Sequence, residues 1–418
     1  MQLKFTRADL AVMLFVASLP FKFIYTYFVA RGILPAIQGL VGLLTYGLLM
    51  SLVVLTPRDF IVWRCRFTVV ALVMLAYVLI MIFFYRFASQ IIDPETDRDI
   101  FIYHATNVLS SLTFLLLGIH LTSHVRLPRV ALLSAMAVGF VVLANTNIST
   151  LTLTMPNNED LAGIYLFLGD TFAMIAIIAL SYLHRGLIII MGTVVSTFVL
   201  FFIGSRTSLY AFVPAAGMLF VFLLNRNLRL RSERLLFSSL LSLIIAVCLV
   251  SPLVFIDLTN NRMLSFLVTS TDTSWEFRQW QMDEGLAVIR QHPLSGEYAS
   301  DYYLRGRNGD YIHSYLEIWR QFGILPFALF LVALGGAVRA LWRARGQAHD
   351  PAWRAAVVLM VFSGIEVAFS RTWGTPHIFA AIGMAATFCA RRRPHGQTMA
   401  PQAKTAEAAM YFKQTRAS

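Results

Sequence analysis

Charged residues are scarce in this chain: they make up 13% of its 418 residues, whereas 58% are hydrophobic. A soluble domain usually carries about a quarter of charged residues, so the composition excludes a series of ordinary soluble domains and predicts one membrane bundle. Cysteine is scarcer still, with only Cys65, Cys248 and Cys389. None of the three has a partner at a metal-ligand or redox spacing, so we expect no disulfide and no zinc site.

Long apolar runs are what the chain has in abundance. Runs of roughly 17 to 25 residues are long enough to cross a bilayer as helices. Twelve such spans are predicted, near residues 9–30, 33–55, 67–85, 101–122, 130–145, 161–183, 187–204, 208–224, 235–256, 315–342, 355–370 and 376–390. The basic flank MQLKFTR leads directly into the first span, which we interpret as a retained signal anchor. The sequence therefore predicts an all-α, polytopic membrane helix bundle of about 12 transmembrane helices.

Basic residues occur in every second loop, from Lys4 and Arg7 before the first span to Arg391, Arg392 and Arg393 after the last. In a soluble protein the net charge of +12 would suggest nucleic acid. In a membrane protein the position of basic residues in short loops sets the orientation instead. We therefore expect no nucleic-acid partner, and we expect both termini to be cytoplasmic.

One loop is much longer than the others and spans residues 257–313, between spans nine and ten on the external side. Ser274 can cap a helix in this loop that runs to about Gln291. Four apolar residues would share one face of that helix: Trp275, Met282, Leu286 and Ile289. The predicted organisation is thus a single transmembrane bundle over residues 1–393, including this periplasmic loop, and a disordered cytoplasmic tail over 394–418.

The first candidate site lies between spans seven and eight, in the segment Gly204-Ser205-Arg206-Thr207-Ser208. An arginine at the edge of an apolar helix pair needs a partner, and the planar fork of Arg206 suits two hydrogen bonds to a phosphate. The alternative is an interfacial arginine whose charged end extends to water.

The second candidate is His313, which lies where the long loop enters span ten. A histidine there can accept a proton from a hydroxyl near neutral pH, although histidines at helix starts commonly have a structural role. His292 precedes Pro293 and is interpreted as a turn residue.

Four more charged residues lie within or beside spans. Arg371 follows span eleven, about one helical turn from Glu366, and the two form either a structural ion pair or a substrate contact. Lys22 lies in span one and Asp170 in span six. Charges inside a membrane are candidates for function, with mutual pairing in the bundle as the alternative.

These features together resemble the O-antigen ligase and O-antigen polymerase superfamily of bacterial envelopes. The matching residues lie between about 200 and 330 and comprise Gly204-Ser205-Arg206, Phe277-Arg278-Gln279-Trp280, His292-Pro293-Leu294-Ser295-Gly296, His313, Leu316, Glu317 and Gly323. Two positions differ from the family pattern. Ser314 stands where the family often has Asn, and Glu297-Tyr298 follows Gly296 where the family often has Gly-x-Gly.

The resemblance implies a metal-independent glycan transfer, without a cofactor, at the periplasmic face of the bacterial inner membrane. The donor would be a glycan on undecaprenyl diphosphate, and the acceptor a sugar hydroxyl of lipid A-core or of another lipid-linked glycan. His313 and Arg206 would be catalytic, with His313 on the acceptor hydroxyl and Arg206 on the diphosphate. Arg278 and Arg371 would also bind the diphosphate, and Trp280 would offer its face to a sugar ring. Membrane lipids are the other expected partner.

Three alternatives remain at this stage: a polymerase of the same class, a transporter and a structural envelope subunit. Ligases and polymerases share the motif, so a polymerase that joins lipid-linked repeats stands beside the ligase reaction. A transporter would place polar groups and broken helices at mid-membrane, whereas the candidates here cluster on the external side, which favours an enzyme. A structural envelope subunit would tolerate loss of His313.

Overall fold

The computed structural model describes residues 7–35, 37, 40, 44, 46, 47, 49, 51, 65–88, 94–121, 127–147, 150–154, 164–183, 186–227, 273–300, 302, 312–369 and 375–390. Twelve α-helices occur within these residues: α1 (Arg7–Ala30), α2 (Arg66–Ala88), α3 (Pro94–His120), α4 (Leu127–Ala144), α5 (Ile164–Tyr182), α6 (Gly186–Ile203), α7 (Arg206–Asn227), α8 (Thr273–Gln291), α9 (Leu316–Phe322), α10 (Ile324–Arg343), α11 (Pro351–Phe369) and α12 (Pro376–Ala390). Two short strands, Thr146–Asn147 and Thr152–Leu153, form an antiparallel hairpin after α4.

Seven of the described helices are long and apolar enough to cross a membrane: Leu10–Ala30, Arg66–Phe87, Thr96–His120, Tyr165–Tyr182, Gly186–Ile203, Ile324–Arg343 and Pro351–Phe369. Three shorter apolar helices accompany them: Arg129–Ala144, Arg206–Phe222 and Pro376–Cys389. These helices agree with the predicted multi-pass helical bundle. Most of the predicted span 33–55, all of 235–256 and the tail 394–418 lie outside the described residues, so the number of twelve spans stays a prediction.

The prediction of one continuous span over 315–342 is wrong, because the chain breaks at Gly323 between α9 and α10. Gly323 has a φ of 84°, and a Cβ at this position would collide with the carbonyl oxygen of Leu294. Its own N–H still donates to the oxygen of Trp319 at 2.9 Å. Gly296, with a φ of 67°, lies against the backbone of the same break. The break therefore provides the surface on which the end of the long loop packs.

Helix α5 forms the centre of the bundle. Every residue from Leu168 to Ser181 is buried, and α5 packs against α1, α4, α6, α7 and α11. Its burial and its five neighbouring helices therefore place α5 in the interior of the bundle rather than at a lipid-facing surface.

Helices α3 and α12 approach each other through small residues. A Cβ on Gly118 would collide with the oxygen of Ala380, and a Cβ on Gly383 would collide with the oxygen of Leu115. Close backbone approach at glycine is typical of helix pairs inside membranes, where packing rather than hydrophobic burial drives association.

The two ends of the bundle are recognisable by their helix termini. At one end, hereafter the Gly204 end, α6 stops and α7 begins around Gly204, whose φ is 78°. At the other end, buried Arg354 donates from Nε and Nη2 to the oxygen of Ser181, at 3.3 and 2.9 Å, and thereby caps α5. Cys65 and Cys389 are free thiols, and Cys248 lies outside the described residues.

The predicted helix of the long loop is confirmed by α8, although its buried face differs from the expected one. Gln281, Gly285, Val288 and Ile289 are the buried residues, while Met282 and Leu286 are half-buried. Ser274 lies inside the helix rather than at its cap, and the side chain of Trp275 lies outside the described residues. The gap at Gly285 explains the difference, because Ile312 approaches the helix there.

The glycine contact between α3 and α12 can be tested by substitution. Gly383→Ala forces a methyl group into the backbone of α3, so we expect it to lower stability by about 1–3 kcal/mol, as overpacking does. The measurement is thermal unfolding of the purified protein in detergent.

The matched control is Gly335→Ala in α10, where a new Cβ meets nothing within 4 Å. It should leave the unfolding temperature unchanged or raise it slightly, because alanine favours a helix over glycine. Equal unfolding temperatures for Gly383→Ala and the parent protein would contradict the close approach of α3 and α12.

Candidate active site

The break between α6 and α7 is fixed by buried hydroxyl groups. Ser208 Oγ donates to Asp170 Oδ1 on α5 at 2.5 Å. Ser205 Oγ and Ser208 Oγ lie 2.6 Å apart and form a second hydrogen bond. Both serines are fully buried, whereas Arg206 between them is half-buried. The chain around Arg206 is therefore held to α5 on both sides of the arginine.

Asp170 also belongs to a cluster of three titratable side chains from three helices. The carboxylates of Asp170 and Glu366 and the ring of His377 have ligand atoms within 4.8 Å of one another, and all three residues are buried. The edge of the His377 ring lies against Phe114, with centroids 5.6 Å apart. A divalent cation accepts this donor set of two carboxylates and one imidazole. A metal-free site stays a prediction at this point.

Lys22 on α1 contacts an aromatic ring of α5. Lys22 Nζ lies 5.0 Å from the centroid of the Phe167 ring, one turn before Asp170 on α5. A cation over an aromatic face is a favourable contact away from water. A functional role of the two intramembrane charges, with mutual pairing as the alternative, stays a prediction.

A second buried carboxylate, Glu317 on α9, organises the end of the long loop. Its Oε2 accepts the N–H of Ile312 at 2.8 Å and Nη1 of Arg320 at 3.4 Å. Its Oε1 accepts Nε2 of Gln321 at 2.6 Å. Arg320 in turn donates from Nε to Ser300 Oγ at 2.9 Å. One carboxylate thus joins α9 to both ends of the segment that precedes it.

His313 lies between two anchored neighbours. Ile312 before it is held by Glu317, and Ser314 after it is buried. Ser314 Oγ accepts the N–H of Leu316 at 3.2 Å, at the first residue of α9. The N-cap residue of α9 is Tyr315, which makes no side-chain cap hydrogen bond, so Ser314 supplies this contact from the position before the cap. The imidazole of His313, which is half-buried, projects from a backbone fixed on each side.

Arg278 lies on the face of α8 that, two turns further along the helix, packs against Ile312. Arg278 precedes buried Gln281 and Gly285 by three and seven residues, so the three share one helix face. A Cβ on Gly285 would collide with the side chain of Ile312 and lie 3.5 Å from Cδ of Arg320. Arg278 therefore extends the stripe of α8 that packs against the residue preceding His313.

Of the three histidine, tryptophan and arginine residues that remain from the sequence analysis, the structure describes Trp280 and His292 but not Arg371. Trp280 is half-buried on α8 and stacks on Phe277, with centroids 5.7 Å apart. His292 is exposed, and its Nε2 lies 4.0 Å from Oε2 of Glu297, in agreement with a turn residue. Arg371 lies outside the described residues, so its predicted contacts with Glu366 and with substrate are not tested.

Two features of this region were missed by sequence reasoning. Arg320 is fully buried in the network of Glu317, and His104 on α3 lies between Tyr298 and Phe322, with centroids 5.2 and 6.0 Å away. Tyr298 also stacks on Tyr85 of α2 at 4.8 Å. In the sequence, His104 is only a histidine within an apolar span, and this pattern does not tell which neighbouring helix its side chain faces.

Comparison with known families confirms the resemblance. Residues 191–331 match the family model described as O-Antigen ligase. No protein of curated function matches the chain at a significant level. The match covers the Gly204 break, α8 and the segment around His313, whereas Asp170, Glu366 and His377 lie outside it. It supports a function of O-antigen ligase or polymerase type and lipid-linked glycans as the general substrate class, in a multi-pass membrane protein.

The anchoring role of Glu317 predicts a large loss of stability on its removal. Glu317→Ala takes away the carboxylate shared by Ile312, Arg320 and Gln321 while the Arg320 charge stays buried. Breaking a buried charge pair in this way costs about 3–5 kcal/mol. Thermal unfolding in detergent should show the loss as a clearly lowered midpoint.

Glu276→Ala is the matched control, because Glu276 is exposed on α8. A surface change of this kind stays within about 0.5 kcal/mol. Similar midpoints for the two variants would show that the Glu317 network does not hold the segment.

Proposed function

We propose that the protein is a glycosyltransferase of O-antigen ligase type that moves a glycan from undecaprenyl diphosphate to a sugar hydroxyl of lipid A-core. The observation that carries this proposal is the family match over residues 191–331. It spans an arginine held at a helix break and a histidine held between anchored neighbours. Both are side chains that a transfer from a diphosphate requires.

The reaction needs one bond to form and one to break. The acceptor hydroxyl oxygen attacks the anomeric carbon of the donor glycan, and the bond from that carbon to the diphosphate oxygen breaks. His313 accepts the hydroxyl proton. The negative charge that develops on the departing diphosphate is stabilised by guanidinium groups, which bind phosphate oxygens through two parallel hydrogen bonds. Arg206 and Arg278 provide these groups, and Arg371 adds a third.

Preorganisation distinguishes His313 from an ordinary surface histidine. A general base contributes when its ring is held in place before the substrate arrives, which requires support from the surrounding residues. Glu317 and Ser314 supply that support on the two sides of His313. In this proposal Trp280 on α8 offers an aromatic face to the sugar ring.

The Gly204 end of the bundle faces the periplasm in this proposal, in the bacterial inner membrane. The alternation of basic loops along the sequence supports this orientation. The twelve-span bundle over residues 1–393 then has both termini in the cytoplasm, and the predicted tail over 394–418, which lies outside the described residues, is cytoplasmic as well. Residues 257–313 form the periplasmic loop that carries α8.

Reporter fusions test the orientation. An alkaline phosphatase fused after Gly309 should be active, because the enzyme folds only outside the cytoplasm, and one fused after Ser232 should be inactive. A fluorescent protein that matures only in the cytoplasm, fused at the same two positions, is the control and should give the reverse pattern. A consistent inversion of both reporters would place the Gly204 end in the cytoplasm and remove the proposed chemistry.

Substitution of His313 tests the reaction. His313→Ala should lower turnover about 10²- to 10⁴-fold, the typical contribution of a general base, while binding of the lipid-linked donor persists. His292→Ala is the matched control and should retain most activity, because His292 is an exposed turn residue. The assay measures transfer by purified protein between a lipid-linked donor and a stated acceptor. Near-normal turnover of His313→Ala would remove the base assignment.

The same assay separates the related reactions when acceptor and metal are varied. Transfer to lipid A-core supports the ligase reaction, whereas extension of a second lipid-linked glycan identifies a polymerase. Transfer that persists with excess chelator supports the metal-free scheme. Loss of transfer with chelator, restored by a divalent cation, would overturn that scheme and direct attention to Asp170, Glu366 and His377.

A further inference from the structure

We propose that Asp170 is a positioning residue for Arg206 and acts through the hydroxyl groups of Ser205 and Ser208. This inference rests on the proposed role of Arg206 at the diphosphate. Asp170 lies outside the residues that match the O-antigen ligase family and on a different helix from the arginine. A short chain of hydrogen bonds runs from Asp170 to Ser208 and Ser205, which lie on either side of Arg206 in the chain.

The geometry places the carboxylate beneath the helix break. Ser208 Oγ donates to Asp170 Oδ1 at 2.5 Å, and the two serine oxygens are 2.6 Å apart. Ser205 and Ser208 flank Arg206 by one residue before and two after. A hydrogen bond to a charged acceptor in a low-dielectric interior is stronger than one in water, so this chain of hydroxyl groups is a stiff connection.

The serine pair packs tightly against α5 at Gly169. Gly169 precedes Asp170, and a Cβ at Gly169 would lie 2.6 Å from Cβ of Ser205 and 2.8 Å from Oγ of Ser208. The serine pair therefore sits directly on the backbone of α5. Movement of the pair has to move the first turn of α7, and Arg206 is the first residue of that turn.

Positioning differs in its chemical requirement from the other roles available to this cluster. A role in holding a cation or a proton with Glu366 and His377 depends on the negative charge of Asp170. A positioning role depends only on an acceptor oxygen at Oδ1. Asp170→Asn keeps that oxygen and removes the charge, whereas Asp170→Ala removes both.

The experiment compares these two variants in the transfer assay and in a binding assay. Binding of undecaprenyl diphosphate is measured as the rise that it causes in the unfolding temperature. Asp170→Ala should lower turnover about 100-fold, because misplacement of a catalytic group by about 1 Å has an effect of this size. Asp170→Asn should lose about tenfold or less, since a neutral hydrogen bond replaces a charge-assisted one. Gly169→Ala displaces the serine pair with Asp170 intact and should resemble Asp170→Ala.

A double-mutant cycle with Arg206 separates positioning from a merely structural role. A structural role of Asp170 gives a loss of turnover that adds to the loss from Arg206→Ala. If Asp170 acts through Arg206, the losses of Asp170→Ala and Arg206→Ala are not additive, and the double variant is no slower than Arg206→Ala alone. Should Asp170→Ala fail to fold, Ser208→Ala enters the cycle in its place, since it breaks the same connection. Ser134→Ala, which removes a buried hydroxyl that bonds Val16 between α4 and α1, is the control and should keep full activity.

Each result has a distinct meaning. Additive losses in the cycle, or an Asp170→Asn variant as slow as Asp170→Ala, would overturn the positioning role while the proposed function stands. Normal turnover of Asp170→Ala beside an impaired Arg206→Ala would do the same. Normal turnover and diphosphate binding of Arg206→Ala would instead remove the proposed role of Arg206, and the positioning role with it.

Discussion

Polar groups inside an apolar bundle must find partners within the protein, and this constraint decides where the helices of this chain can break. At the first break, at Gly204, the hydroxyl groups of Ser205 and Ser208 and the carboxylate of Asp170 form hydrogen bonds with one another. At the second break, at Gly323, the backbone N–H of Glu297 at the end of the long loop donates to the carbonyl oxygen of Arg320. Arg206 lies at the first break, and His313 precedes α9, the helix that ends at the second break.

Two buried carboxylates have parallel roles at these breaks. Asp170 holds the turn that carries Arg206, and Glu317 holds the segment that carries His313. A buried charge is expensive, and well-packed apolar residues often stabilise a protein equally well. Their retention at both breaks is therefore better explained by the placement of neighbouring side chains than by stability.

The candidate site is assembled from parts of the chain that are far apart in sequence. Helix α8 packs on α9 through Gly285 and Ile312, and Tyr298 joins the loop to α2 and α3 through aromatic contacts. Those contacts orient the loop relative to the bundle before any substrate binds.

The sequence by itself determined the features that depend on local pattern. Apolar length predicted the described spans, and local helix signals predicted α8. Family motifs identified Arg206 and His313. Only the tertiary structure decided the break at Gly323, the meeting of Asp170 with Ser208, and the cluster with Glu366 and His377. The reason is physical: α5 is apolar on all sides, so its periodicity cannot tell which way Asp170 points, and contacts between distant helices depend on their rotation in the bundle.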